Sequence, residues 1–297
     1  MNRIARKLVL SIVTVVLTVF ALGTTTFAWF TLTNTAVVQP FQAQIVSDTG
    51  IQVALGDIAS PAGLTGLQWR TTITTEEIEN YIDAKYLGNF EFMNVTSPNG
   101  FTMNQLGGVG APASNYLEIN LHFRSSDATE IFWEEVELTA TTKGWTTGTT
   151  FVDSKGETRL AGSNFNINAA DAFRISIRSN EGTPIVYENP VSATNTVLGE
   201  QPGVPFTNGG VGMNGSTNYY YEVNQVLPEG HESVTTVGTV TAINGQKVLD
   251  MTDDDSIMSD FRYYGSITIR IWLEGWDAEA YNSILSEVIT ARFRFTA

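Results

Sequence analysis

The chain has 297 residues, of which 42% are hydrophobic and 16% are charged, and its formal net charge at pH 7 is −15. This length allows one large domain or two modest domains with a buried core. An acidic surface repels nucleic acid phosphates, so we expect no nucleic-acid partner. The absence of cysteine excludes disulfides, iron–sulfur clusters, thiol catalysis and a lipid-modified cysteine anchor.

The first 28 residues have the composition of an export signal. Three basic residues, Arg3, Arg6 and Lys7, precede an apolar run from Leu8 to Gly23, and no acidic residue occurs before Ala28. This pattern predicts an N-terminal hydrophobic helix that acts as a secretory signal peptide and is cleaved after Ala28. The alternative is a retained membrane anchor over residues 8–30, with the body outside. In both cases we expect the rest of the chain to be extracellular or at the cell surface.

Residues 29–40 form a ribbon rich in Thr, Asn and Val that follows the apolar run without a linker. We expect an extended strand that ends at Pro40, because proline lacks the N–H needed in a ladder. Such a strand can be added to the sheet of another molecule, where alternate side chains fill pockets. The alternative is a first strand that pairs within its own domain. The candidate assembly side chains are Trp29, Phe30, Leu32 and Val38.

The body, residues 41–297, is predicted to be one mainly β domain. Apolar and polar residues alternate with a period of two over residues 117–124, 173–178, 267–273 and 289–295. Clean alternation indicates antiparallel sheets with one buried face, and hence an antiparallel β-sandwich. Residues 41–45 and 51–55 also alternate, and the Asp48-Thr49-Gly50 turn signal between them predicts a hairpin-like pair.

Short helices and long loops are expected to interrupt the strands. Thr74 and Glu77 have the spacing of a capping box before an apolar helical stripe, and Asp277 is expected to cap a second helix that includes Tyr281. Two stretches dense in Gly, Asn and Pro, near residues 97–115 and 196–218, are predicted to be loop insertions within the single domain.

The residues with catalytic potential do not form a known catalytic pattern. The chain has two histidines, His122 and His231, and neither lies in an H-E-x-x-H motif; no G-x-S-x-G occurs. His122 falls on the polar face of a predicted strand, so we expect it to be exposed. Glu134, Glu135 and Glu137 lie near Trp133, where charges on a strand explain them as well as catalysis does. We therefore expect no enzymatic activity and no cofactor.

Two further groups are weak candidates for binding. Loop carboxylates can converge on calcium, but an exposed acidic turn explains the acidic cluster equally. The aromatic run Tyr219, Tyr220 and Tyr221 can stack on sugars or on a neighbouring subunit, although internal packing of a strand is the alternative. The calcium candidates are Asp250, Asp253, Asp254 and Asp255.

The N-terminal region resembles that of the camelysin/TasA biofilm-fibre family of Gram-positive bacteria. The matching residues are Ala28-Trp29-Phe30-Thr31, Asn34-Thr35-Ala36 and Phe41-Gln42-Ala43-Gln44-Ile45, within about the first fifty residues. The resemblance implies an exported jelly-roll subunit, processed near Ala28, that polymerises by passing its N-terminal strand into the next molecule. We therefore expect a structural subunit of an extracellular filament or biofilm matrix that forms a homo-polymer. The alternative is a cell-surface adhesin that binds glycans or matrix proteins.

Overall fold

The computed structural model describes residues 42–48, 50–58, 61–106, 112–179, 182–190, 214–230, 237–253, 261–281 and 287–297. This part of the chain is mostly β, as the alternating sequence predicts, with two α-helices, α1 (Thr75–Tyr86) and α2 (Gly215–Asn224), and two 3₁₀ helices (Pro61–Gly66 and Ala169–Ala172). The strands are β1 (Gln42–Ser47), β2 (Ile51–Leu55), β3 (Thr72–Ile73), β4 (Asn94–Thr96), β5 (Asn104–Gln105), β6 (Leu117–Ser125), β7 (Glu130–Ala140), β8 (Lys143–Thr146), β9 (Phe151–Val152), β10 (Thr158–Arg159), β11 (Asn164–Ile167), β12 (Phe173–Ser179), β13 (Ile185–Glu188), β14 (Gln246–Asp250), β15 (Thr252–Asp253), β16 (Tyr263–Glu274) and β17 (Ile289–Thr296).

Sheet A has five strands in the order β14-β7-β17-β1-β3. Its long central pair is antiparallel: β17 runs against β7 from Ile289 opposite Ala140 to Thr296 opposite Phe132, with a register shift that leaves Glu134 unmatched. On its other side β17 pairs with β1, and this pair is parallel, with Gln42 opposite Thr290. Sheet A is therefore mixed rather than wholly antiparallel, because its first and last strands run in the same direction.

Sheet B is built on β16, which pairs with β12 on one side and with β6 on the other, both antiparallel. The hairpin partner β13 extends the sheet beyond β12, and β2 extends it beyond β6. The short strand β4 pairs with Leu273–Glu274 of β16 in parallel and carries β5, while β15 pairs with the start of β16. Sheet B is thus antiparallel except at β4.

The hairpin expected for residues 41–45 and 51–55 is not formed. β1 belongs to sheet A, whereas β2 pairs with β6 in sheet B. The turn at Asp48 and Gly50 carries the chain from one sheet to the other, and Gly50 has a φ of +96° that suits glycine. Alternation in two neighbouring segments showed that each has one buried face, but it did not show that they share a sheet.

Apolar side chains from the two sheets pack against each other. The rings of Phe123 on β6 and Phe295 on β17 lie 5.2 Å apart, and those of Trp133 on β7 and Tyr187 on β13 lie 6.3 Å apart. All four side chains are buried. Burial of aromatic surface of this size is the main stabilising term available to a chain without disulfides.

The helix α1 begins where the sequence predicts. The Thr74 side chain accepts a hydrogen bond from the Glu77 amide at 3.4 Å, and Glu77 Oε2 accepts one from the Thr74 amide at 3.0 Å, which completes the capping box. Ile78 and Ile82 are the buried residues of this helix.

A second, smaller core lies beside the sheets. Two ribbons, β8 with β11 and β9 with β10, and the helix α2 surround a group of stacked rings that we call the aromatic cluster. Trp145 lies at its centre, 4.9 Å from Tyr219, 5.1 Å from Tyr281 and 5.2 Å from Phe165. The members of the aromatic cluster are Trp145, Phe151, Phe165, Tyr219 and Tyr281.

Candidate functional site

A buried arginine stands at the centre of the most heavily charged part of the core. Arg174 alternates with apolar residues on β12, so the sequence predicted a place on the polar face, yet the residue is only 1% exposed. Its Nη2 atom contacts Asp277 and lies 2.8 Å from Glu188 Oε2 on the neighbouring strand β13. Both faces of β12 are therefore covered, and the arginine is buried because carboxylates lie around it.

Further carboxyl groups surround this arginine. Glu274, at the end of β16, accepts hydrogen bonds from the Trp272 indole at 3.1 Å and from the Trp276 amide at 3.3 Å. Burial raises the pKa of the Glu274 carboxyl above its ordinary value, although these hydrogen bonds and Arg174 oppose the shift. Burial also raises the pKa of Asp277, against the attraction of Arg174. Arg174 is thus surrounded by three buried carboxyl groups, those of Asp277, Glu188 and Glu274.

Glu279 is the most perturbed of these acids. Its pKa is raised well above the usual value, first by burial and then by the negative charge of Asp277, whose side chain is also hydrogen-bonded to it. The Oε2 atom of Glu279 is buried and has no hydrogen-bond partner within the described residues. An unpaired buried carboxyl oxygen is costly, so the neutral, protonated form of Glu279 is favoured.

A small cavity lies beside Glu279. Its volume is about 60 Å³, which is room for roughly four water molecules. Ser154 and Asp171 contribute to its wall, and burial raises the pKa of the Asp171 carboxyl. Asp153, in the same wall, accepts hydrogen bonds from Arg159 Nε at 2.7 Å and from two backbone amides, so its carboxylate is fully paired. The cavity is thus lined by several acidic side chains, and one carboxyl oxygen of Glu279 has no hydrogen-bond partner within the described residues.

The helix α2 begins on the segment that carries these acids. The Ser216 amide donates to the Ala278 carbonyl at 2.8 Å, and the Ser216 hydroxyl donates to the Asp277 carbonyl at 2.7 Å. Gly215 has a φ of +70°, and a Cβ atom there would lie 2.2 Å from the Ala278 oxygen. The close approach of α2 to residues 277–278 therefore requires glycine. The expected helix capped by Asp277 does not begin there: residues 278–279 form a turn, residues 280–281 have no regular secondary structure, and residues 282–286 lie outside the described residues.

The tyrosine run that the sequence offered as a ligand surface lies on α2, not on a strand. Tyr219 packs into the aromatic cluster against Trp145 and Phe151, and burial raises its pKa. Tyr220 and Tyr221 are half-buried. Three successive residues point to different sides of a helix, so they do not form a continuous row of exposed rings. The residues before 214 in the expected 196–218 loop are outside the described part, and its end is the start of α2.

The two calcium candidates that the structure describes are each paired with a cation. Asp250 lies 2.8 Å from Lys247 Nζ at the end of β14, in sheet A. Asp253 lies 2.5 Å from Arg262 Nη2 at the end of β15, in sheet B. Asp254 and Asp255 lie outside the described residues. Among the residues that the structure describes, no three His, Asp or Glu side chains are arranged to hold a metal ion.

His122 is buried, contrary to the expected exposure. One ring nitrogen, Nε2, lies 2.8 Å from the Gly56 carbonyl, and Nδ1 lies 2.7 Å from the Tyr264 hydroxyl. Because a carbonyl only accepts, the proton belongs on Nε2, and Nδ1 accepts from Tyr264. The polar face of β6 is covered here by the residues after β2, which alternation alone does not reveal. His231 lies outside the described residues.

The glutamates near Trp133 lie on sheet A as cross-strand partners of basic residues. Glu137 lies 2.9 Å from Arg292 and Glu135 lies 3.6 Å from Arg294, and all four are exposed. A shallow cleft of about 490 Å³ runs over this part of the sheet. These ion pairs between strands agree with the expected role of strand charges.

The candidate assembly residues Trp29, Phe30, Leu32 and Val38, the signal segment 1–28 and the ribbon 29–40 lie outside the described residues. Within the described part, no helix is both long and apolar enough to cross a membrane. What the structure does show is where this ribbon joins the body: β1 begins at Gln42, directly after Pro40 and Phe41.

One strand edge of sheet A is only partly paired among the described residues. On that side of β7, the partner β14 covers Glu130 to Trp133, which leaves residues 134–140 without a strand neighbour in the described part. Two carbonyls of this stretch accept side-chain amides instead: Leu138 from Asn189 and Ala140 from Asn168, each at 3.2 Å. Side-chain caps of this kind protect an edge from unspecific pairing.

Comparison with protein-family models, with curated proteins and with solved structures finds no match for this chain. The resemblance to the camelysin/TasA family therefore stays a prediction that rests on the N-terminal residues alone.

Sequence reasoning missed the whole acidic site, whose centre is Arg174, Glu188, Asp277 and Glu279. The sequence did contain a signal for the acids around residues 274–279: Glu274, Asp277 and Glu279 occur close together among apolar and aromatic residues, at and just after the end of the alternating strand β16. Charged residues in so apolar a context are buried only when they are paired. The partner Arg174 is a hundred residues earlier, so no local pattern could identify it.

Proposed function

We propose that the chain is a structural subunit of an extracellular filament or biofilm matrix, with a jelly-roll type β-sandwich body that assembles by strand exchange between copies. The observation that carries the proposal is the place of β1. The candidate donor strand, residues 29–39, is joined to β1 in the interior of sheet A with only Pro40 and Phe41 between them. The ribbon is therefore tethered at one end to a fixed strand of the body.

The length of this connection favours pairing between molecules. The open edge of β7 is defined here as residues 134–140, which have no strand neighbour on that side among the described residues. A strand added there would lie three strand spacings from β1, about 14 Å away. Residues 39 and 42 can be separated by at most about 11 Å, because each residue spans no more than about 3.6 Å. The end of the ribbon next to β1 therefore cannot pair with this edge of β7 within the same chain, whereas the whole ribbon of a second copy is not restricted in this way.

The open edge of β7 has the features of an acceptor. An incoming strand would exchange the amide caps of Asn168 and Asn189 for main-chain hydrogen bonds, which are the source of affinity when a strand is added to a sheet. The proposed donor presents Phe30, Leu32 and Val38 as its large apolar side chains. Secretion or display at the cell surface is part of the same proposal, and rests on the composition of residues 1–28.

Removing residues 29–39 from the mature body tests donor-strand assembly. We expect polymers seen by electron microscopy to disappear and the protein to elute as a monomer in size-exclusion chromatography. A control with Asn34→Ser, which changes no large apolar side chain, should still form polymers. Fibres that persist after the deletion would show that the ribbon is not the donor.

Because the chain has no cysteine, disulfide trapping can identify the acceptor edge. A Leu32→Cys subunit mixed with a Glu137→Cys subunit should form a disulfide-linked dimer on oxidation. A Lys247→Cys subunit serves as the control, since Lys247 is exposed on β14 of the same sheet. Preferential trapping of Lys247→Cys would place the acceptor elsewhere and contradict the assignment of β7.

A further inference from the structure

The side chains of Asp277 and Glu279 are neighbours at the base of α2, and each acts on the pKa of the other. Asp277 is 0% exposed, and its Oδ1 atom also accepts the Glu279 amide at 2.8 Å. Two charged carboxylates at close range in a buried site repel each other, so the arrangement is favoured when one of them carries a proton. The Oε2 atom of Glu279 is itself buried without a hydrogen-bond partner among the described residues.

The two arginines in this part of the fold form ion pairs with acids other than Glu279. Arg174 on β12 contacts Asp277 and Glu188, and Arg159 on β10 lies 2.7 Å from both Asp153 and Glu157. Lys155 is exposed in the turn between β9 and β10. Asp171, from the 3₁₀ helix Ala169–Ala172, adds a further negative charge. The titratable and charged groups that face the pair of Asp277 and Glu279 are Asp153, Lys155, Arg159, Asp171, Arg174 and Tyr281.

We propose that a proton on the buried pair of Asp277 and Glu279 is a latch that holds α2 and the aromatic cluster in place, and that loss of this proton as the pH rises opens it. The contacts of α2 with the Asp277 and Ala278 carbonyls tie the helix to the same short segment. Tyr281 of the aromatic cluster follows Glu279 by two residues. When both carboxylates are charged, their repulsion in a poorly solvated site moves this segment, and α2 and Tyr281 lose their support.

The direction of the pH dependence follows from the raised pKa of Glu279. An acid whose pKa is higher in the folded state stabilises the fold fully below its unfolded pKa, here the ordinary 4.5. That stabilisation declines as the pH rises above this value, and it is lost once the pH passes the raised pKa of the folded state. The module around α2 should therefore be most firmly held in acid and should loosen toward alkaline pH.

Trp145 is a reporter within the aromatic cluster, since its ring contacts both Tyr219 and Tyr281. We would label the full protein with 5-fluorotryptophan, assign the Trp145 signal with Trp145→Phe, and record ¹⁹F spectra from pH 4 to pH 10. In the wild type we expect the Trp145 signal to move toward that of a solvent-exposed tryptophan, with the released population rising at least tenfold. Glu279→Gln keeps a donor for Asp277 without a titratable proton, so its signal should stay constant.

Glu157→Gln is the matched control, because Glu157 is an exposed acid on the same ribbon whose side chain is 63% accessible. The pH dependence of the Trp145 signal in this variant should match that of the wild type. If Glu279→Gln fails to fold, Asp171→Asn replaces it: removal of that negative charge lowers the pKa of Glu279, so the transition should move to lower pH.

Three outcomes would overturn the latch. The first is a transition of equal size in the wild type and in Glu279→Gln. The second is an unchanged transition in Asp171→Asn. The third is a wild-type transition that calcium chloride abolishes, since a cation in the cavity would then replace the proton as the stabilising ligand.

Discussion

Arg174 and Asp277 form an ion pair in which the two side chains are 2% and 0% exposed. They come from β12 and from the segment after β16, and they bind that segment to the centre of sheet B. Burial of two charges is favourable only when each stays paired, and loss of one partner leaves the other uncompensated. The pair therefore ties the position of residues 277–281 to the sheet.

Replacement of Arg174 by methionine should strongly destabilise the fold. The change keeps an apolar side chain of similar length but leaves Asp277 and Glu188 without their cation, at a cost of about 3–5 kcal/mol in the free energy of unfolding. Urea unfolding measures this cost. Arg292→Met is the control, because Arg292 forms an exposed pair with Glu137, and such pairs contribute about 1 kcal/mol or less. Equal effects of the two changes would contradict the importance of the buried pair.

Two glycines with nearly the same backbone conformation allow the cost of the left-handed conformation to be distinguished from the cost of a steric clash. Gly88 has a φ of +69° with open space around it, whereas Gly215 has a φ of +70° and faces the Ala278 oxygen. We expect Gly88→Ala to cost about 1–2 kcal/mol for the left-handed conformation alone. Gly215→Ala should cost clearly more, since the backbone of residue 278 must also move. Thermal unfolding of both variants checks the difference, and a smaller effect at Gly215 would show that α2 does not dock as described.

The capping box of α1 should contribute measurably to stability. Thr74→Ala removes the hydrogen bond to the Glu77 amide and should reduce the free energy of unfolding by about 1 kcal/mol. Asn214→Ala provides a comparison at the N-cap of α2, where the side chain makes no capping hydrogen bond. That change should cost no more than a few tenths of a kcal/mol. Chemical denaturation of the two variants measures both values, and a reversed order would contradict the assigned cap.

His122 should titrate below the ordinary histidine range. Burial lowers its pKa from 6.5, while the hydrogen bond to the Gly56 carbonyl and the charge of Asp57 oppose the shift. For a histidine with a lowered pKa, the stabilisation by the neutral ring is present above the unfolded pKa and is lost as the pH falls through the folded value. NMR titration of the ring should therefore give a midpoint below 6.5. A midpoint above 6.5 would show that Nδ1 is protonated and that Tyr264 accepts from it.

Local features of the fold could be predicted from the sequence because their causes are local. Alternation identified β6, β12, β16 and β17, and the spacing of Thr74 and Glu77 identified the start of α1. Each of these signals depends on residues within about one turn or one strand of one another. They indicated a mostly β chain correctly.

The errors have a common origin in contacts between distant residues. Arg174 and His122 were placed on polar faces, yet other parts of the chain cover those faces. Asp277 was expected to cap a helix, but its side chain binds Arg174 and its carbonyl accepts from Ser216 on α2. Tyr219 was assigned to a strand because aromatics favour strands, whereas the surrounding rings hold it on a helix. Only the three-dimensional fold brings these partners together.

The central position of β17 in sheet A has a consequence for the order of synthesis. This strand follows every other strand among the described residues, yet it separates β1 from β7. During translation both of these strands exist long before the neighbour that they share. Until residues 289–296 emerge, each presents an unpaired row of backbone groups, which is a template for pairing with other chains. Premature association of unfinished chains is thus a hazard that the cell has to control while this protein is being made.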